Sequence, residues 1–190
     1  METKDVREKL FKISDRLHLP NAKVAELLSV SRPSLSSSRR PAALRVEKLL
    51  YLARQLQLDP EVFFSDMPIE IAEMASLEEI ERKLEQARCE IAVQRIIHIC
   101  QEKGKTIYDF ALRYDRLIRD EKTGYLKMTV EKLFSLSDGL SVDPRVLLFD
   151  DSFQPVPYPI TEAMLELLRE NINLRKKVYF LMSDGSGGIL

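Results

Sequence analysis

Residues 18–64 read HLPNAKVAELLSVSRPSLSSSRRPAALRVEKLLYLARQLQLDPEVFF, and the spacing of apolar and breaking residues here decides the fold. Asn21 can cap a short helix that carries Val24, Ala25, Leu27 and Leu28. Ser29-Val30-Ser31 supplies a turn. Ser31 can cap a brief third helix over residues 31–40, which tolerates Pro33 because a first helical turn needs no N–H there. After the break at Arg39-Arg40-Pro41, Val46, Leu49, Leu50, Ala53 and Leu56 recur at helical spacing. Leu58, Val62, Phe63 and Phe64 then close the unit around Asp59-Pro60. Upstream, Val6, Leu10, Ile13 and Leu17 form a first amphipathic stripe that Pro20 ends.

The end of this stretch recurs. VEKLLYLARQLQLDPEVFF at 46–64 is matched by VEKLFSLSDGLSVDPRVLLF at 130–149, an offset of 84 positions. The shared order of VEKL, a leucine stripe, a loop, Asp-Pro, Val and an aromatic closure points to duplication, and hence to two similar units instead of one large core. Upstream, Ile96, Ile97 and Cys100 end a helix, Gly104 breaks it, Thr106 can cap the next, and Phe110, Ala111 and Leu112 follow. Ala25 to Val46 spans 21 positions and Ala111 to Val130 only 19, so the second copy is shorter around its third helix.

The whole chain reads as all-α, since no segment alternates with period two for long and only 6 of 190 residues are glycine. The expected layout is two tandem helical domains, at 1–67 and 93–151, joined by a long linker helix at 68–92. In that linker Met74, Leu77, Ile80, Leu84, Ala87 and Ile91 form one apolar seam. The spacing suits burial on its own chain and pairing with the same helix of a second subunit equally well. Residues 152–190 are read as a proline-rich linker (Pro155, Pro157, Pro159), a last helix from Thr161 and a flexible tail.

With 45% hydrophobic and 31% charged residues the chain has material for real cores. No run approaches the roughly 18 to 20 apolar residues of a membrane span, and the charged start lacks the apolar core of a signal peptide, so no membrane contact and a cytoplasmic location are expected. Net charge is −1, but residues 1–67 hold 12 Lys/Arg against 9 Asp/Glu, while 68–150 hold 13 against 16. Any basic face belongs to the N-terminal unit. Cys89 and Cys100 have neither CxxC spacing nor histidine company, and they read as reduced, packed thiols. No metal, cofactor or catalytic group is expected, because there is no glycine-rich phosphate loop and no nucleophile–base spacing. His18 and His98 sit in helical stripes.

The chemistry lies in the third helix. Leu35 is its natural anchor, and the rest is almost wholly serine and arginine. Arg32 could contact guanine bidentately; Ser34, Ser36, Ser37 and Ser38 offer hydroxyls; Arg39 and Arg40 can neutralise phosphates. No acidic residue lies between Arg32 and Arg45, as a phosphate-facing surface demands.

Residues 18–64 resemble the Cro and lambda-repressor (XRE) class of helix-turn-helix domain, through Val24-Ala25, the Val30-Ser31-Arg32 turn, Leu35 and the closing Leu-x-x-Asp-Pro segment. By that resemblance Asn21 stands where a polar residue contacts DNA, and Arg32, Ser34 and Ser37 stand where side chains face the groove. It departs from the pattern at Pro20-Asn21 and at Pro33. The expected DNA-binding set is Asn21, Ser31, Arg32, Ser34, Ser36, Ser37, Arg39 and Arg40. The expected function is a sequence-specific transcriptional regulator of phage or bacterial repressor type, acting on double-stranded DNA as a homodimer.

The second unit carries Asp115, Asp120 and Glu121 in the corresponding region. It reads as a dimerisation or partner-binding module, with Arg116, Arg119, Lys122 and Lys127 as its candidates for any DNA contact. The competing expectation for the whole chain is a protein-interaction module, such as an antirepressor or phage-encoded inhibitor.

Overall fold

The computed structural model describes residues 3–37, 43–110 and 119–155, and for Thr3, Ser36 and Tyr108 the backbone only. The last helix expected from Thr161 lies outside the described residues. What is described is helical throughout, apart from isolated bridges. The first copy comprises α1 (Thr3–Arg16), α2 (Asn21–Leu27), α3 (Arg32–Ser36), α4 (Val46–Leu56) and a 3-10 turn (Pro60–Phe63). Next come α5 (Ile69–Glu73) and α6 (Leu77–Gln86), then α7 (Cys89–Glu102), a 3-10 turn (Ile107–Phe110), α8 (Val130–Leu140) and α9 (Pro144–Phe149).

The sequence repeat is a structural repeat. Both α1 and α7 run 14 residues, and both end in a left-handed residue, His18 (φ 51) and Gly104 (φ 62). After each, the chain is turned by a bond five residues back: Leu19 N–H donates to Ser14 O and Lys105 N–H to Cys100 O, each at 2.8 Å. Both α4 and α8 run 11 residues and end in a left-handed Gln57 and Ser141, each at φ 53. Asp59 and Asp143 then accept from the backbone N–H two residues on, of Glu61 and Arg145, which starts the Asp-Pro turn. A basic residue of each first helix closes the far end of that turn. Lys9 donates to Ser65 O and Met67 O, and Arg95 donates to Leu147 O and Asp150 O. Burial pushes the Arg95 guanidinium down to about 10, still charged at neutral pH.

Separate cores were expected, but the buried apolar side chains of both copies belong to one cluster, from Val6 and Leu10 through Leu49 and Phe63 to Leu133 and Leu147. Two contacts show how the copies meet. Arg45 and Thr129, 84 positions apart, pair as an antiparallel bridge, with Val46 N–H donating to Met128 O (2.8 Å) and Val130 N–H to Leu44 O (2.9 Å). Glu61 and Arg145, also 84 apart, meet at 3.5 Å. Each pair joins equivalent residues of the two copies.

The stretch 68–92 is not one linker helix. Ser76 caps α6, its Oγ accepting from Glu79 N–H at 3.1 Å, and so separates α6 from α5. Arg88 is drawn into an antiparallel bridge with Tyr125, which separates α6 from α7. The expected seam divides accordingly. Ile80, Leu84 and Ala87 are buried within the chain, while Met74 and Leu77 are exposed beside Ile71. α6 straps both copies: Arg54 pairs with Glu81 at 3.0 Å, and Arg82 pairs with Asp151. Lys83, nearly buried, meets Asp59 at 2.6 Å, Glu61 at 2.9 Å and Glu79 at 3.4 Å. Burial disfavours its charge, but the bonds to Asp59 and Glu61 overcome that and raise its pKa.

Glu47 lies at the joint between the copies, fully buried, and its oxygens accept no hydrogen bond among the described residues. Arg45 Nη1 stands 3.6 Å away. Burial outweighs that attraction and raises the Glu47 pKa. Folding therefore binds a proton more tightly here, so this contribution to stability is present at low pH and is lost as pH rises through the folded pKa. Glu47→Gln is expected to raise the melting temperature at pH 7 by about 2–4 °C, as about 1 kcal/mol does in a chain of this size, and to leave it unchanged near pH 4, checked by calorimetry across pH. Lys83→Ala strands Asp59 and Glu61, and should cost about 3–5 kcal/mol by urea denaturation. Replacing Asp59 as well should cost less than the sum of the two single changes.

Candidate nucleic-acid interface

Local chemistry sets the α2–α3 unit. Val24, Ala25 and Leu28 fix α2 to the core. Ser29 takes a left-handed φ of 56, and Val30 N–H returns to Ala25 O at 2.9 Å, redirecting the chain into α3. Ser31 is extended, and its Oγ accepts from Ser34 N–H at 3.2 Å with the two hydroxyls 2.7 Å apart, as the capping reading required. Pro33 sits in the first turn. Leu35, 2% exposed, is the anchor. Arg7 of α1 donates to Leu35 O at 3.4 Å, and burial lowers its pKa.

α3 is shorter than the residue 31–40 helix expected. It stops at Ser36, and Ser37 is already extended at ψ 125. Serine is the reason: its hydroxyl competes for neighbouring backbone groups, and a run of them does not propagate a helix that has only Leu35 to bury. Asn21 is exposed as the first residue of α2, Ser31 and Arg32 are exposed, and Ser34 and Ser37 are half-buried. Ser36 closes α3. Arg39 and Arg40 lie outside the described residues.

Arg7 beside α3 and a Lys23–Glu26 pair on α2 at 3.2 Å were missed, as was exposed Arg45 at the joint between the copies. The signal for Arg7 was available, since it follows core residue Val6 on α1 and so flanks the buried stripe.

The second copy has no equivalent surface among its described residues. A 3-10 turn stands where α2 begins in the first copy, and residues 111–118, with Asp115 and Arg116, lie outside the description. Residues 119–126 form a tight turn instead of a helix. Arg119 pairs with Leu126, Asp120 N–H donates to Tyr125 O (2.9 Å), and Gly124 N–H donates to Asp120 O (2.8 Å). Gly124 takes φ 77, where a Cβ would also strike the Arg88 side chain. Although partial burial opposes it, bonds from Thr123 hold the Asp120 carboxyl below the usual range. Arg119 is 3.3 Å from Glu90, while Lys122 and Lys127 are exposed.

Among the described residues no cluster of His, Cys, Asp and Glu could hold a metal ion, and no helix is long and apolar enough to cross a membrane. Cys89 and Cys100 are buried free thiols. Burial pushes Cys89 up to about 12, which suppresses the reactive thiolate. Compared with known proteins, the chain matches no family model, no curated protein and no solved structure.

The Ser31 cap carries a direct test. Ser31→Ala should cost α3 about 1 kcal/mol, read as roughly fivefold faster amide exchange at Ser34 and Leu35 with α4 unchanged.

Proposed function

We propose that the protein is a sequence-specific DNA-binding regulator of repressor type, with α3 as its reading element. One observation carries this: α3 is anchored by buried Leu35, whose carbonyl accepts from Arg7, and leaves Ser31 and Arg32 exposed in a stretch that has no carboxylate from Arg32 to Arg45. Short hydroxyl side chains allow close approach to a duplex, and an arginine at the start of the helix suits a guanine edge. Arg39 and Arg40, next in sequence, supply charge for phosphates. Five helical residues reach few bases, so this head alone has modest specificity and depends on contacts outside α3.

A second reading, a protein-interaction module, is favoured by one patch. Ile71, Met74 and Leu77, at 53, 80 and 61% exposure, lie together at the corner between α5 and α6. A cluster of this kind suits a protein partner.

Salt separates the two readings. Selection of duplexes from a random pool should enrich a motif, and affinity for it should fall linearly in log–log form as salt rises. The Arg32→Ala, Arg39→Ala double variant should lose that motif and flatten the salt slope by about 1 to 2. Recovery of no motif by the wild-type chain would sink the DNA reading and leave the interaction module.

A further inference from the structure

The two contacts between equivalent residues define more than an interface. In the bridge, residues 44, 45 and 46 face 130, 129 and 128, which are their own equivalents in reversed order. Antiparallel pairing of equivalent segments in register is the signature of a two-fold axis, as at the isologous interface of a symmetric dimer. Glu61 facing Arg145 gives a second point on the same axis. Packing within the copies agrees: α1 rests on the first Asp-Pro turn as α7 rests on α9, and α4 and α8 repeat the same relation.

From this we infer that the second copy occupies the place of a second subunit, and that one chain forms a complete, asymmetric duplex surface: α3 to one side of the axis, the 119–127 turn to the other. The inference rests on reading the first copy as duplex-binding. A two-fold rotation leaves height along its axis unchanged, so the segments that enter the bridge stand at the same level. Ala43 and Lys127, equivalent and both exposed, stand one residue before the buried pair Leu44 and Met128 that enters the bridge. In the proposed arrangement a straight duplex lies across the Arg45–Thr129 end, with the first copy's α3 on one side and Lys122 and Lys127 on the other.

The two sides then do different work. The first side carries exposed Ser31 and Arg32, which on this reading face base edges. The second has a turn locked by Asp120, Thr123 and Gly124, which offers exposed Lys122 and Lys127 to phosphates and no helix to a groove. Phosphate contacts fix register without reading sequence. The partner is thus double-stranded DNA with a single, non-palindromic half-site, flanked by a few base pairs of any sequence.

The test uses the full-length chain with duplexes selected from a random pool. Mass measurement of the complex should show one 22.0 kDa chain per duplex, and the enriched motif should lack internal two-fold symmetry. Lys122→Ala with Lys127→Ala should keep the helical circular dichroism and the same motif, flatten the log–log salt slope by about 1.8, and weaken binding roughly thirtyfold at 0.15 M salt. Two chains on a palindromic motif, or an unchanged slope in the lysine variant, would overturn this surface while leaving the first copy a DNA reader. Failure of the wild type to enrich any motif would overturn the DNA reading and this surface with it.

Discussion

Two backbone hydrogen bonds, Val46 N–H to Met128 O and Val130 N–H to Leu44 O, constrain everything else in the molecule. Each closes the start of one copy's long helix against the chain that enters the other's. Neither copy can shift along its axis without breaking both, since the bonds run in opposite directions between equivalent residues. The single core follows from this. Leu44, Val46, Met128 and Val130 are all buried, so the apolar faces of α4 and α8 continue into each other at the joint. Glu47, sealed at the same place, shows the cost of that closeness: its equivalent Glu131 is exposed to water.

At the other end of the axis charge takes over from backbone pairing. Lys83 gathers Asp59, Glu61 and Glu79, and Glu61 in turn meets Arg145. A buried ammonium among carboxylates is weak evidence of added stability, because desolvation consumes most of the attraction. Its geometric effect is stronger. Lys83 ties α6 to the first Asp-Pro turn, Arg145 ties that turn to the second, and Arg82 carries the strap on to Asp151. The segment between the copies thereby becomes a brace across both.

Local rules were legible in the sequence, and long-range ones only in part. Ser31 caps α3, Asp59 and Asp143 open matching turns, and the 84-residue repeat becomes a repeat of helix lengths and left-handed caps; these depend on neighbours within five residues. The extent of α3 was misread because apolar spacing shows where a helix can bury a face, not whether a serine run will propagate it. The linker broke where Arg88 found Tyr125, a partner 37 positions away that no periodicity records. Burial of Arg95 was invisible for the same reason: its acceptors are carbonyls of Leu147 and Asp150. In the candidate site, α3 and its exposed Ser31 and Arg32 were readable, and so was Arg7 from its place beside Val6, but not its bond to Leu35 O.

Duplication also explains why the copies could diverge so unevenly. Residues of the joint and of the shared core are packed by both copies at once. The described parts of the stretch between the second and fourth helices differ most between the copies. In the first copy it holds a short helix on one leucine. In the second it has lost two residues and closed into a turn around Asp120 and Gly124. Tyr125, Leu126 and Met128 stay buried in the shared core, so this change of shape leaves the packing of the unit in place. On the proposed DNA reading, the place where the copies differ most is the place where a symmetric pair of heads would meet its ligand. On that reading the chain keeps the frame of such a pair and one of its two reading surfaces.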